Sequence, residues 1–194
     1  MGTIYTSAGA NSINASSVGT LTTPASGTLT AVMKRLGDFV SIDFTLTAMR
    51  MTVTDAAGSG SSGSYKLIDL VEGDWHFVSS RMSFTAFAES AGVSGGDTVF
   101  DIGVGTTAIA AAADGVLTAD AAYDNVAIKG DVTLSGGAGV LATANDPCNI
   151  MVDGTATPLD LYLNWSGTAA TVDATGTLDV TGTISVRAIH LGDD

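Results

Sequence analysis

Apolar and polar residues alternate along several segments of the chain with the period of two that is typical of β-strands. In the clearest segment of the first half, the apolar positions are Val40, Ile42, Phe44 and Leu46. The positions that point the other way are Phe39, Ser41, Asp43, Thr45 and Thr47. The last third repeats the pattern at residues 159–164 and 178–188. Each segment is therefore predicted to be an antiparallel strand with one buried face.

Two neighbouring segments, residues 65–71 and 75–87, are rich in β-branched and aromatic residues and are separated by a Glu-Gly-Asp turn. This arrangement predicts a β-hairpin. Three further short strands are predicted at residues 98–104, 123–128 and 131–134. An alanine-rich stretch, residues 107–113, is the one segment that favours a short helix.

The segments outside the predicted strands are rich in small residues. Residues 56–64 consist almost entirely of Gly, Ser and Ala, which predicts a flexible exposed loop. Residues 1–30 carry little charge and only scattered apolar residues. They are predicted to form an extended N-terminal arm that adds a strand to a neighbour's sheet edge, with a loosely packed first strand as the alternative.

Short alternating strands follow one another without a strand-helix-strand rhythm, which argues against a parallel α/β fold. The length of 194 residues is ordinary for one β-domain. The sequence therefore predicts an all-β fold: a jelly-roll-like antiparallel β-sandwich over residues 31–194, preceded by the arm over residues 1–30. Hydrophobic residues make up 45% of the chain, enough to form one core.

Charge excludes one class of partner. The chain has 20 acidic and 7 basic residues, a formal net charge of −13, and its cations are dispersed along the sequence. A surface of this charge repels phosphate backbones, so no direct binding to nucleic acid is expected. The sequence contains neither a secretion signal pattern nor an 18-residue apolar stretch, so no membrane association is expected.

The motifs that suggest catalysis lack the context that the chemistry needs. Residues 92–96 match the G-x-S-x-G pattern around Ser94, but no helix-forming segment follows it, and the only histidines, His76 and His190, lie in strand-like segments. Gly103-x-Gly105-x-x-Ala108 imitates a dinucleotide fingerprint and is interpreted as a strand end. We therefore predict a protein that is not an enzyme and has no catalytic residues.

Metal and cofactor sites are not predicted either. Two histidines and one cysteine are too few for a structural zinc site, and the single Cys148 permits no intrachain disulfide, so it is interpreted as a small packed side chain. Dispersed loop aspartates leave calcium binding between subunits open as a minor alternative. Those aspartates are Asp97, Asp101, Asp120 and Asp124.

Two further features bear on glycans. Trp75 and Trp165 are expected to pack in a core or an interface, although together with Tyr162 they motivate an alternative in which the chain binds carbohydrate. Asn14 and Asn164 each begin a glycosylation sequon, which is expected to be unused without a secretion signal.

Several stretches carry a resemblance to small virion structural proteins of tailed, marine-type bacteriophages. They are residues 65–69 followed by Glu72 and Gly73, residues 101–106, residues 153–164, and the closing residues 181–184 and 191–193. The resemblance covers roughly residues 65–194, and its motifs are strand-and-turn patterns.

The resemblance implies a capsid decoration (cement) protein, a β-sandwich subunit that forms homotrimers on the outer head surface. Its implied partners are the major capsid protein and further copies of itself. It would be made in the host cytoplasm and reside on the exterior of the virion. The lack of disulfides and of an active site agrees with this interpretation. The alternative is a carbohydrate- or receptor-binding module of a phage head or tail fibre.

Overall fold

The computed structural model describes residues 4–5, 18–55, 61–93, 98–109, 117, 122–134, 138–146, 148–167 and 172–192. Every helix or strand element in this part of the chain is a β-strand, which confirms the all-β prediction. The strands are β1 (Ile4–Tyr5), β2 (Gly19–Leu21), β3 (Thr28–Leu36), β4 (Phe39–Asp55), β5 (Ser61–Leu70), β6 (Asp74–Val93), β7 (Thr98–Gly105), β8 (Ala127–Leu134), β9 (Ala138–Asp146), β10 (Ile150–Val152), β11 (Asp160–Gly167) and β12 (Val172–Gly192).

All twelve strands belong to one sheet, whose main order is β10-β6-β12-β4-β5-β11-β7-β8. The remaining strands extend it: β3 pairs with β4, β2 with β5, β9 with β6 and β1 with β3. Every ladder is antiparallel except the two-residue pairing of β1 with β3. Because β8 also contacts β9, the sheet curls back towards its own beginning and encloses the core, in keeping with the sandwich-like fold predicted.

The core lies on the face that the alternation predicted. Val40, Ile42, Phe44 and Leu46 are all buried in β4, and the even-numbered apolar residues of β12 are buried opposite them. Burial of such side chains contributes about 1.5–3 kcal/mol each, which makes this face the main source of stability.

The three longest strands, β4, β12 and β6, change direction at one place. In β4 the buried positions shift from even numbers up to Leu46 to odd numbers from Met49, and Ala48 between them has a positive φ of 44°. In β6 the shift falls at Thr85, which has no partner in β12 in the described ladder. An extra residue in each outer strand is a β-bulge, which bends the strand and increases its twist.

Gly182 of β12 lies between the two bulges. A Cβ at this position would lie 2.4 Å from the carbonyl oxygen of Ser83 and 2.7 Å from the Cα of Phe84. Thr181 holds the other side of the bend, because its hydroxyl accepts a hydrogen bond of 2.9 Å from the backbone N–H of Ala48. The bend thus depends on backbone approaching closely where only glycine fits.

The predicted hairpin of residues 65–71 and 75–87 is wrong. β5 pairs with β11, β2 and the end of β4, whereas β6 pairs with β12, β9 and β10, so that β12 and β4 lie between them in the sheet. The turn after Val71 therefore leads the chain to a different part of the sheet and does not fold β6 back onto β5. The indole N–H of Trp75 donates to the carbonyl of Val71 at 3.1 Å and holds that crossing.

Other predicted boundaries of strands and loops also differ from those in the structure. Ser61 and Ser62 of the predicted loop are buried in β5, while residues 56–60 lie outside the described part of the chain. Thr107 to Ile109 are not helical, and residues 110–113 are not described. Of the strand predicted at 123–128, only residues 127 and 128 are in a strand, and they belong with residues 131–134 to β8; residues 123–126 form a bend. β7 confirms the prediction for residues 98–104.

The sheet takes in the second half of the predicted arm. Val18, Leu21 and Leu29 are buried in the core, β2 pairs with β5, and β3 pairs with β4 over nine residue pairs. Near the start of the chain, β1 pairs with the outer edge of β3 at Ala31 and Val32. Residues 6–17 lie outside the description.

Candidate interaction surface

One row of residues crosses five strands on the outer face of the sheet. Leu36 is opposite Phe39, Phe39 opposite Ile189, Ile189 opposite His76, and His76 opposite Met151. Directly paired residues of a ladder point to the same face. Their neighbours along the strands, including Val40, Ala188 and Phe77, face the core. We call these five residues, Leu36, Phe39, Ile189, His76 and Met151, the apolar row.

The apolar row is unusually exposed. Leu36 is 67% exposed, and Phe39 and Met151 are each 63% exposed. Leu191, at 51%, and Val78, at 38%, lie beside the row on β12 and β6. All the large apolar side chains known to be exposed, among the residues whose burial is described, thus lie on this one wall. A concentration of apolar side chains marks an interaction site more often than single exposed residues do.

The row above, towards the bend, is small and basic. It consists of Lys34, Ser41, Arg187 and Ser79, which we call the upper row. An Nη atom of Arg187 donates to Asp43 at 3.0 Å. Partial burial raises the pKa of Asp43, but hydrogen bonds from Ser185, Arg187 and Ser41 outweigh it and hold the pKa below its ordinary value. Asp43 is therefore ionised at neutral pH.

Two exposed carboxylates lie close to the ends of the row: Asp38 in the β3–β4 turn, next to Phe39, and Asp153, two residues after Met151. Hydrogen bonds from the hydroxyl and the backbone N–H of Thr155 lower the pKa of Asp153. The wall is thus apolar along its middle, and charged side chains, among them the ion pair of Arg187 with Asp43, lie on either side.

The two histidines do not share a site. His76 lies on the outer face, where its Nε2 is 2.8 Å from the Oδ1 of Asn149. His190 lies on the inner face, stacked on Trp75 with a centroid distance of 4.6 Å, and its Nε2 is 2.9 Å from the carbonyl oxygen of Glu72. The sheet separates them, so they cannot act on one substrate. Ser94 lies outside the described residues.

The glycines of the fingerprint-like motif are packing positions. Gly103 and Gly105 lie in β7, beneath the segment of residues 122–126. A Cβ on Gly105 would lie 2.3 Å from the carbonyl oxygen of Ala122, and one on Gly103 would lie 2.8 Å from the Cβ of Asp124. Because these two glycines have no side chain, the loop packs directly against them. It occupies the space that a bound phosphate would need.

The aromatic residues that motivated carbohydrate binding are mostly inside the protein. Trp75 and Trp165 are 0% and 1% exposed, which confirms the expectation of core packing. Tyr162 is half-buried, and its hydroxyl donates to Asp160 at 2.7 Å. Burial, together with that hydrogen bond, raises the pKa of Tyr162 to about 12. The carbohydrate-binding alternative therefore loses two of the three side chains on which it rested.

The remaining candidates are structural or lie outside the description. Asp101 and Asp124 are both buried, whereas Asp97 and Asp120 fall in undescribed segments. The described residues contain no group of three potential metal ligands. Cys148 is half-buried and packs against the core.

Asn164, the first residue of a sequon, is fully buried and joins three segments. Its Nδ2 donates to the carbonyls of Thr107 at 2.9 Å and of Tyr123 at 2.7 Å, and its Oδ1 accepts from the Ser64 hydroxyl at 2.6 Å. In the folded protein this side chain is inaccessible to a glycosyltransferase. Asn14 lies outside the described residues.

We expect Asn164→Ala to lower the free energy of unfolding by about 2 kcal/mol, because it removes a fully buried amide and its three hydrogen bonds to Thr107, Tyr123 and Ser64. Ser166→Ala is the control: the Ser166 hydroxyl lies on the same strand, is buried and has no hydrogen-bond partner among the described residues. Urea unfolding of both variants measures the difference. Equal midpoints would contradict the role assigned to Asn164.

The apolar row was not predicted from the sequence. Its signal was present at Phe39, a large aromatic residue on the side of β4 otherwise occupied by Ser41, Asp43, Thr45 and Thr47. Met151 and Leu36 gave no such signal, because only the strand order brings them into line with Phe39.

Comparison with known proteins adds no assignment. No protein-family model matches the chain, and no curated protein matches it at a significant level. In the described part of the chain, no helix has the length and apolar character required to cross a membrane.

Proposed function

We propose that this chain is a capsid decoration (cement) protein of a tailed bacteriophage. It forms homotrimers on the outer surface of the head and stabilises the contacts between major capsid protein subunits. The resemblance of residues 65–194 to virion structural proteins supports the proposal, as does the all-β fold.

The observation that carries the proposal is the exposed apolar row. A protein that acts by covering a shell needs surface to offer other subunits, and Leu36, Phe39 and Met151 supply exposed apolar surface on one side of the sheet. Weak contacts are sufficient for such a protein, because several copies held on one lattice gain affinity through avidity. The net charge of −13 keeps the free subunit soluble before it is incorporated.

The test is co-sedimentation of the purified chain with empty shells of the major capsid protein that is encoded with it. We expect saturable binding and a higher melting temperature of the decorated shells. Shells that neither retain the chain nor gain stability at saturating concentrations would contradict the proposal. Shells assembled from an unrelated phage serve as the control for non-specific adsorption.

The segment before Val18 provides a further prediction. We expect that deletion of residues 2–17 leaves the β-core folded, because the described core begins at Val18. We expect it to weaken shell binding, because these residues form the first half of the arm that is proposed to attach the chain to its neighbours. Circular dichroism verifies folding and co-sedimentation measures binding. Undiminished retention on shells would show that the segment has no role in attachment.

A further inference from the structure

We propose that the chain binds one calcium ion on the outer face of β7 and β11, beneath the segment of residues 122–126. We call residues 122–126 the covering segment, because they pack on Gly103 and Gly105 of β7. The protein ligands of the ion are the carboxylates of Asp101 and Asp124 and the hydroxyl of Ser166. The site lies within one subunit, so it does not depend on the proposed function.

Asp101 and Ser166 lie side by side on neighbouring strands. They are directly paired in the ladder of β7 and β11, and the Cβ atoms of such pairs are about 5 Å apart on one face of the sheet. That face is the outer one, because Phe100 and Trp165, which alternate with them along the strands, stack on each other in the core. Both Asp101 and Ser166 are nevertheless buried, so another part of the chain covers them.

Asp124 approaches the same place from the covering segment. A Cβ on Gly103 would lie 2.8 Å from the Cβ of Asp124, so Asp124 sits directly over Gly103. Gly103 is two residues from Asp101 on β7, which corresponds to about 7 Å along the same face. Calcium binds carboxylate oxygens at about 2.4 Å, so two carboxylates that extend from Cβ atoms at this separation can hold one ion between them.

Two buried hydroxyls beside Asp101 point to a ligand. Ser166 is directly paired with Ser62 of β5, both side chains are buried, and neither hydroxyl forms a hydrogen bond with any described residue. Buried polar groups are almost always bonded, so a bound ion or water is the ordinary explanation for such a pair. Calcium bound by Ser166 supplies that partner. Ser62, one strand further away, then bonds a water that completes the coordination of the ion.

The set of ligands favours calcium over other common metal ions. Carboxylates and hydroxyls are hard oxygen donors, whereas zinc prefers nitrogen and sulfur ligands. Because only two of the ligands are carboxylates, the site falls short of a group of three His, Cys, Asp or Glu side chains in the described residues. The ligands come from two strands and an irregular segment, an arrangement that calcium accepts, whereas magnesium requires a nearly ideal octahedron. Two carboxylates balance the charge of one calcium ion.

The ion ties the covering segment to the sheet. Asn164 already joins this segment to β11, because its Nδ2 donates to the carbonyl of Tyr123 at 2.7 Å. Calcium adds a second link through Asp124. Since the three ligands come together only in the folded chain, calcium stabilises the folded state and raises the melting temperature as its concentration rises.

Calorimetric titration of the purified, EDTA-treated chain with calcium chloride tests the site. We expect one calcium ion per chain and a higher melting temperature in calcium than in EDTA. Asp101→Asn removes a charged ligand at nearly constant size and is expected to weaken calcium binding about tenfold or more. Asp38→Asn is the matched control. It removes the same charge at an exposed position in the β3–β4 turn and is expected to bind calcium like the wild type.

Wild-type protein that binds no calcium and melts at the same temperature in calcium and in EDTA would overturn the proposal. Equal weakening by Asp38→Asn would also overturn it, because the binding would then belong to the acidic surface in general. Ser166→Ala serves as a second variant should Asp101→Asn fail to fold. We expect Ser166→Ala to unfold like the wild type in EDTA and to lose part of the gain in melting temperature that calcium provides. An undiminished gain would remove Ser166 from the site and contradict the geometry.

Discussion

Replacing Gly182 by valine is expected to lower the free energy of unfolding by about 3 kcal/mol or more, or to prevent folding. Any Cβ at this position would overlap the backbone of β6, since it would lie 2.4 Å from the Ser83 carbonyl oxygen and 2.7 Å from the Phe84 Cα. These are main-chain atoms, so no side-chain rotation relieves the overlap. The paired bulges in β4 and β6 fix the bend at Gly182, and β12 cannot shift without losing its register on both sides.

The control for this prediction is Thr183→Val, one residue further along the same strand. Thr183 is exposed, and surface substitutions of this kind change stability by no more than about 0.5 kcal/mol. Chemical denaturation of both variants provides the comparison. A Gly182→Val protein with the midpoint of the wild type would show that the bend does not require close backbone approach.

The second large effect is expected at Trp165. Its ring stacks on Phe100 with a centroid distance of 4.2 Å and meets Phe87 at 5.9 Å, so it connects β7 and β11 on one wall with β6 on the other. Removing the ring leaves a large cavity between the two walls. We expect Trp165→Ala to cost about 3–5 kcal/mol.

Trp165→Phe separates packing from hydrogen bonding. The indole N–H of Trp165 is buried and has no hydrogen-bond partner among the described residues, so its loss removes no interaction. We expect this variant to cost about 1 kcal/mol, from reduced volume alone. Thermal unfolding compares the two. If Trp165→Ala costs no more than Trp165→Phe, the ring does not hold the walls together.

Local pattern was sufficient for the fold class and for much of the core. Alternation in residues 40–46 and 178–188 reports directly which face is buried, because side chains of a strand point alternately to its two faces. The same pattern also indicates the bend, because the buried positions of β4 change from even to odd numbers after Leu46. That change is readable in the sequence once bulges are considered.

The sequence pattern did not predict which strands pair with each other. Residues 65–71 and 75–87 are neighbours in sequence and lie on different walls, because pairing depends on the whole sheet and not on the intervening turn. The apolar row illustrates the same difficulty, since it joins residues as distant as Leu36 and Met151 through four ladders. Asn164 was missed as a structural residue because its partners lie on three separate segments.

We propose that this chain acts by covering the outside of a viral head. Electron cryomicroscopy of virions that contain it tests this claim most directly. We expect the curled twelve-stranded sheet to fit density on the exterior of the head, repeated around three-fold positions. Density for the chain at the tail instead, or a head exterior without it, would contradict the account.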